Sequence, residues 1–275
     1  MKTLIIRTLS GAVYVGIIVA AIMTNGYIFA VVFSVLSALT TFEFHKLTNK
    51  QENVNVPAWI GLIASALLFI TFALINDIFT EISLILYCAF VFSIFIAEIF
   101  RKNQNIVHNI AYFLLGQIYI ALPFTLMIFI YQLNTFFLLA LFVIIWANDT
   151  FAYLAGSLAG KHKMCKDISP KKSWEGFLGG MAGALVAGFV FYKFCPVQIH
   201  CMTGATIMQL WQWFVFALII VIFGTLGDLF ESKIKRTVGV KDSGNIMPGH
   251  GGLLDRFDSL LFAVVPAMMF LVFAN

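Results

Sequence analysis

Long apolar runs separated by short polar breaks dominate the chain. A bilayer core takes roughly 20 apolar residues per helix, and nine stretches meet that measure, approximately 4–24, 27–45, 57–76, 79–100, 106–131, 134–158, 174–194, 209–230 and 253–273. The pattern predicts an all-α polytopic membrane protein with about nine transmembrane helices. The first run follows Lys2 and Arg7, as in a signal peptide, but it is long and has no small-x-small cleavage site, so it is expected to remain as an anchor. Even the longest connections, 159–173 and 231–252, are too short for a core of their own. The expected organisation is a set of packing and lipid-facing helices over 1–133, then a catalytic membrane region over 134–275 whose two long loops face the cytoplasm.

Composition agrees with this pattern. Of 275 residues, 61% are hydrophobic and 11% charged, far from the quarter-charged make-up of soluble domains. Lys and Arg collect in short cytoplasmic loops, and an inside N-terminus places every Lys and Arg except Lys193 on the cytoplasmic side. The breaks at 25–26, 77–78, 132–133 and 195–208 carry neither residue. An odd number of spans is needed to keep that alternation, so the C-terminus is expected outside. The net charge of +4 is then a topological asymmetry, with no nucleic-acid partner implied. Four cysteines are too few for a disulfide scaffold. Cys195 and Cys201 flank an outside loop beside His200, where unpaired thiols are the expectation and a disulfide or metal site the alternative.

Polar residues concentrate in the second half. In the first five spans, Glu43 with His45 and Glu98 with Arg101 read as interfacial side chains snorkelling to water. Span six is different: in "IIWANDTFAYLAGSLAG", Trp146, Asp149, Thr150, Tyr153 and Ser157 share one helical face. Asp149 would lie ~22 Å from the outer end at 1.5 Å per residue, a depth at which an ionisable residue faces a cavity or a partner. The next loop, "GKHKMCKDISPKKSWEGFLGG", carries five lysines. Ser169 before Pro170, or else Ser173, would cap the following helix, leaving Lys171 and Lys172 at a helix start that favours phosphate. Gly176, Gly179, Gly180 and Gly183 form small-x-x-x-small pairs for close helix packing.

Span eight ends in "GTLGDLFESKIKR", where Asp228, Ser232 and Lys235 share a face with Glu231 adjacent. Asp228 would stand ~29 Å along this helix, at the cytoplasmic edge from which span nine starts with Asp255 and Asp258. Helix capping accounts for one such acid, but poorly for Asp149, Asp228, Asp255 and Asp258 among Lys235, Arg236, Lys241 and Arg256. Oxygen ligands ringed by cations suggest a hard metal bound to phosphates. Gly249, Gly251 and Gly252 around His250 would let the backbone pass close to such a ligand.

These residues carry a resemblance. "SKIKRTVGVKDSGNIMPGHGGLLDRFD", Ser232 to Asp258, resembles the signature of the phosphatidate cytidylyltransferase (CDP-diacylglycerol synthase) family. The matching positions are Ser232, Lys235, Arg236, Lys241, Asp242, His250, Gly251, Gly252, Asp255, Arg256 and Asp258, with Met247 where the family more often has Leu, Ile or Phe. "NDTFAYLAGSLAGKHKMCKDISPKKSWEG" is similar to a second family block, and before about Asn148 the likeness is one of hydropathy only.

The resemblance implies transfer of CMP from CTP to phosphatidic acid, with magnesium required as one or two ions. Asp228 and Asp255 would be the principal metal ligands, supported by Asp258 and Asp149. Lys235, Arg256 and His250 would join the two principal aspartates at the catalytic centre. Ser169, Lys171, Lys172, Ser232, Arg236, Lys241, Gly251 and Gly252 would bind the nucleotide. The expected location is a bacterial inner membrane, with the site facing the cytoplasm and a homodimer as one assembly. A CTP-dependent lipid kinase, a CDP-archaeol-type synthase and, further off, an ion-coupled transporter are the alternatives.

Overall fold

The computed structural model of the chain describes residues 2–73, 77–102, 105–195, 198–201, 204–247 and 251–273. Its helices are α1 (Lys2–Met23), α2 (Gly26–Thr48), α3 (Ala58–Ala73), α4 (Asp77–Ile99), α5 (Ile106–Gly116), α6 (Leu122–Leu133), α7 (Thr135–Ala159), α8 (Trp174–Phe194), α9 (Leu210–Thr237) and α10 (Leu254–Phe273). Two small antiparallel hairpins interrupt them, β1 (Lys163–Cys165) with β2 (Ser169–Ser173), and β3 (Gln198–Cys201) with β4 (Gly204–Ile207). Each apolar run coincides with helical structure. Among the described residues, seven helices are long and apolar enough to cross a membrane, and Thr8–Met23 and Ala58–Ala73 form shorter apolar helices.

Local chemistry sets several boundaries. Asn25, Asn105, Asn134 and Ser173 cap α2, α5, α7 and α8, each side-chain oxygen accepting a first-turn N–H that lipid could not satisfy. Ser173 is thus the cap, while Ser169 and Pro170 lie in β2, whose pairing with β1 holds them extended. Between α5 and α6 the helix widens into a π turn over Gln117–Ala121. Pro123 follows at once; it has no N–H to give, and a π turn absorbs the missing rung.

Contacts divide the chain into two compact units, Met1–Ile128 with Thr237–Arg256, and Phe129–Arg236 with Phe257–Asn275. This division differs from 1–133 and 134–275: the segment 237–256 packs within the unit built by the N-terminal helices.

In the first unit α2 packs against α1, α3, α5 and the π turn. Phe33, Phe44, Phe69, Phe113 and Phe124 fill its core. The expected snorkelling of Glu43, His45 and Glu98 is not what the structure shows. His45 is fully buried and stacks on Phe113 at 6.3 Å. Glu98 is buried in a network in which it pairs with Arg101 and accepts Asn109 Nδ2 at 2.9 Å, while Arg101 Nη1 donates to the Asn55 carbonyl at 2.8 Å. A carboxylate that finds such donors inside the protein has no need of the interface.

In the second unit Trp213 of α9 is the aromatic anchor. It stacks on Phe191 of α8 at 5.6 Å and meets Phe137 of α7 at 5.8 Å. The α8 glycines let α7 and α8 touch along their backbones. A Cβ at Gly180 would come within 2.5 Å of Asn148 Oδ1, and one at Gly176 within 3.0 Å of the Ala152 carbonyl. At the α9–α10 crossing, Gly227 leaves no room for a Cβ against the Asp258 carbonyl.

Candidate active site

Two helices, one hairpin and two further helix ends build a cavity of about 310 Å³ in the second unit. Asn148, Asp149 and Tyr153 come from α7, Lys171 and Lys172 from β2, Phe177 from α8, Thr225 and Asp228 from α9, and Ser259 from α10. The hairpin is stapled in place. Trp174 N donates to the His162 carbonyl at 2.9 Å, and Glu175, in the first turn of α8, accepts Lys161 N and His162 N at 3.2 and 3.1 Å. Ser173 Oγ accepts Gly176 N at 3.2 Å and closes the helix start. The two lysines therefore precede a fixed cap and are held on a rigid strand.

Inside the cavity Lys172 Nζ stands 2.7 Å from Asp228 Oδ2. Ser232 Oγ, one turn further along α9, donates to Asp228 Oδ1 at 3.3 Å, and Asn148 Nδ2 donates to Asp149 Oδ1 at the same distance. Asp258, next to Ser259 in the first turns of α10, is half-buried, and its Oδ1 accepts Ser259 N at 2.6 Å. Lys172 offsets Asp228, and buried Lys235 pairs with the buried Glu231 below it on α9.

The structure therefore brings together Asp149, Lys171, Lys172, Asp228 and Ser232, with Asp258 beside them. Lys235 turns instead to Glu231. Ser169 sits on β2 opposite Cys165 and does not line the cavity. Arg236 is exposed at the end of α9. Cys195 is a free thiol, while the side chains of Cys201 and His200 lie outside the described residues.

The remaining motif residues belong to the first unit. Lys241 and Arg256 are exposed there, and His250 lies outside the described residues. Asp255 Oδ2 accepts Ser243 N at 3.0 Å and Gly252 N at 2.8 Å, and Ser243 Oγ stands 2.9 Å from it. Gly251 has φ +85°, a conformation glycine adopts without strain. Gly252 is glycine because Glu43 occupies the space a Cβ would fill. The close approach expected of these glycines is made here by a protein carboxylate.

The donor set can be weighed against the metal that the motif implies. Magnesium is held by one or two carboxylates plus substrate phosphates, seldom by an all-protein cage. Among the described residues no group of three His, Cys, Asp or Glu is set to hold a metal. Two carboxylates, Asp149 and Asp228, do line one cavity, and an ammonium already rests on Asp228 in a cation's place. All the candidate ligands are hard oxygens, so these residues fit a magnesium ion that arrives with a polyphosphate.

Sequence reasoning passed over Asn148, Thr225 and Ser259 in the cavity wall, and Glu175 beneath the hairpin. Asn148 and Ser259 each adjoin a named aspartate, which was a usable signal; nothing local marked Thr225.

Comparison with known proteins decides the class of chemistry. A model described as the cytidylyltransferase family matches residues 5–274. The chain belongs to this family. It is similar to proteins named phosphatidate cytidylyltransferase from Staphylococcus saprophyticus (33% identical over 273 residues), Staphylococcus epidermidis (34% over 273) and Staphylococcus aureus (31% over 270). Each alignment covers 97% of this chain and 98% of the relative. The likeness thus runs through the N-terminal helices as well, which the motifs after Asn148 did not disclose. Membership makes the chain an enzyme of nucleotidyl transfer.

Proposed function

We propose that this enzyme transfers CMP from CTP to phosphatidic acid at the cytoplasmic face of the membrane, releasing pyrophosphate and leaving CDP-diacylglycerol. The observation that carries the reading is the cavity in which two lysines and two aspartates meet, joined by the Lys172–Asp228 ion pair. The relatives, named phosphatidate cytidylyltransferases, point to the same substrates.

A phosphomonoester with a second pKa of roughly 6 is largely dianionic at neutral pH, so the lipid oxygen needs no general base. It attacks the α-phosphorus of CTP; that bond forms as the bond to the β-phosphate oxygen breaks, and the electron pair leaves with pyrophosphate. The difficulty is repulsion between two polyanions. Lys171 and Lys172 bind the triphosphate, Lys172 exchanging Asp228 for a phosphate oxygen. Asp228, freed of its lysine and oriented by Ser232, would hold magnesium together with Asp149, and Asp258 supports them. Arg236 is a further phosphate contact, and the motif assigns Asp255, Lys241 and Arg256 of the first unit to the same reaction. When bound, magnesium offsets negative charge that builds on the phosphates.

Purified enzyme in lipid, given phosphatidic acid and CTP labelled at the α or the γ phosphate, tests the reading. The α label should enter a lipid of CDP-diacylglycerol mass, with pyrophosphate released. Transfer of the γ label, the outcome for a lipid kinase, or no labelled lipid at all would overturn it.

A further inference from the structure

Glu43 lies in the C-terminal part of α2, far along the chain from every motif, yet it is 3% exposed. Its carboxylate accepts Leu253 N at 2.9 Å and Leu254 N at 3.2 Å, the amides at the start of α10. Ser243 Oγ donates to Glu43 and stands 2.9 Å from Asp255 Oδ2, while Ser243 N donates to that oxygen at 3.0 Å, so one residue ties the two carboxylates together. The backbone is cut to fit: a Cβ at Gly252 would overlap Glu43, and one at Gly244 would stand 2.7 Å from its carboxyl carbon. A buried carboxylate is costly unless it is hydrogen-bonded, and negative charge at a helix N-terminus meets the positive end of the dipole. Both conditions are met by Ser243, Leu253 and Leu254, which all donate to this one side chain.

We infer that Glu43 is a positioning residue for the reaction: it holds Ser243 and the start of α10 at Leu253 and Leu254, and through Ser243 it sets the place of the Asp255 carboxylate. The inference rests on the cytidylyltransfer reading for its kinetic consequence, but not for its structural one. Glu43 touches no substrate. It acts by fixing the residues to which Asp255 is hydrogen-bonded, and Gly244 and Gly252 leave room for its carboxylate.

The test uses the full-length enzyme in lipid nanodiscs and compares wild type with Glu43→Ala and Ser243→Ala. Amide hydrogen exchange of the 243–255 segment reads positioning without CTP; steady-state kinetics read its effect. Glu43→Ala should speed exchange in this segment while the rest of α2 keeps its protection. It should lower kcat by roughly 10- to 100-fold, the scale of one lost buried charge-assisted hydrogen bond, with less change in KM for CTP. Ser243→Ala leaves Glu43 bonded to Leu253 and Leu254, so it should fold, with a melting temperature lowered less than in Glu43→Ala, and it should lower kcat. This variant keeps the inference testable where Glu43→Ala fails to fold. Unchanged exchange in folded Glu43→Ala, or unchanged kcat in Ser243→Ala, overturns it. Failure of the wild type to make CDP-diacylglycerol would sink the functional reading and leave the exchange result to stand on its own.

Discussion

The Lys172–Asp228 pair invites a stability role and a catalytic one, and magnitudes separate them. Both side chains are partly exposed, at 23% and 34%, and exposed ion pairs contribute about 0–1 kcal/mol. Breaking the pair should therefore barely move the melting temperature. A lysine that binds triphosphate carries more weight: a hydrogen bond to a charged group is worth about 1.5–3 kcal/mol. Lys172→Ala is expected to raise KM for CTP by about 10- to 100-fold, with Lys171→Ala in the same direction. Asp228→Asn keeps the shape but not the charge, and should cost kcat about 100-fold or more, the scale of losing one electrostatic stabiliser. Initial rates across CTP and magnesium concentrations, alongside a thermal scan of each variant, check both. A stability loss large enough to explain the kinetics would return the pair to a structural role.

The helices owe their placement to small residues that local sequence does reveal. Small-x-x-x-small spacing is a short-range pattern, so the packing glycines of α8 are legible from the order of residues alone. The same holds for the apolar runs and for the polar stripe bearing Asp149. What is not legible is contact at a distance: Glu43 meets Ser243 and Leu254 across 200 and 211 residues, and an isolated acid in an apolar helix looks the same whether it reaches water or a buried loop. Ser169–Pro170 misleads for a related reason, since pairing with β1 overrides a favourable helix-start dipeptide. The element-scale prediction follows from the glycines. Gly180→Ala would set a methyl against Asn148 and push α8 from α7, at a cost of about 1–3 kcal/mol for overpacking. Gly16 of α1 has nothing within 4 Å of where its Cβ would stand. Gly16→Ala should leave the melting temperature unchanged or raise it, by up to about 1 kcal/mol of helix propensity. Thermal unfolding of the two variants in one detergent gives the comparison, and equal effects would remove the packing argument.

At the scale of the molecule, the chain carries its own reporters of which helix ends face the cytoplasm. Cys165 lies on the lysine-rich hairpin before α8, and Cys195 follows that helix directly. Both are free and partly exposed. One helix of 21 residues separates them, and at 1.5 Å per residue it spans about 30 Å, the thickness of a bilayer core. If α8 crosses, the two thiols must face opposite sides. By the positive-inside rule the lysines at 161, 163, 166, 171 and 172 predict that the hairpin faces inward, the side the proposed reaction with CTP requires. Single-cysteine variants retaining Cys165 or Cys195 can be treated in intact cells with a membrane-impermeant maleimide. Cys195 should react at once, and Cys165 only after the membrane is permeabilised. The reverse order would invert the protein and place Lys171 and Lys172 away from the side the proposed reaction requires. Equal reaction of both thiols in intact cells would mean that α8 does not cross, and with it would fall the odd span count that keeps positive charge on one side.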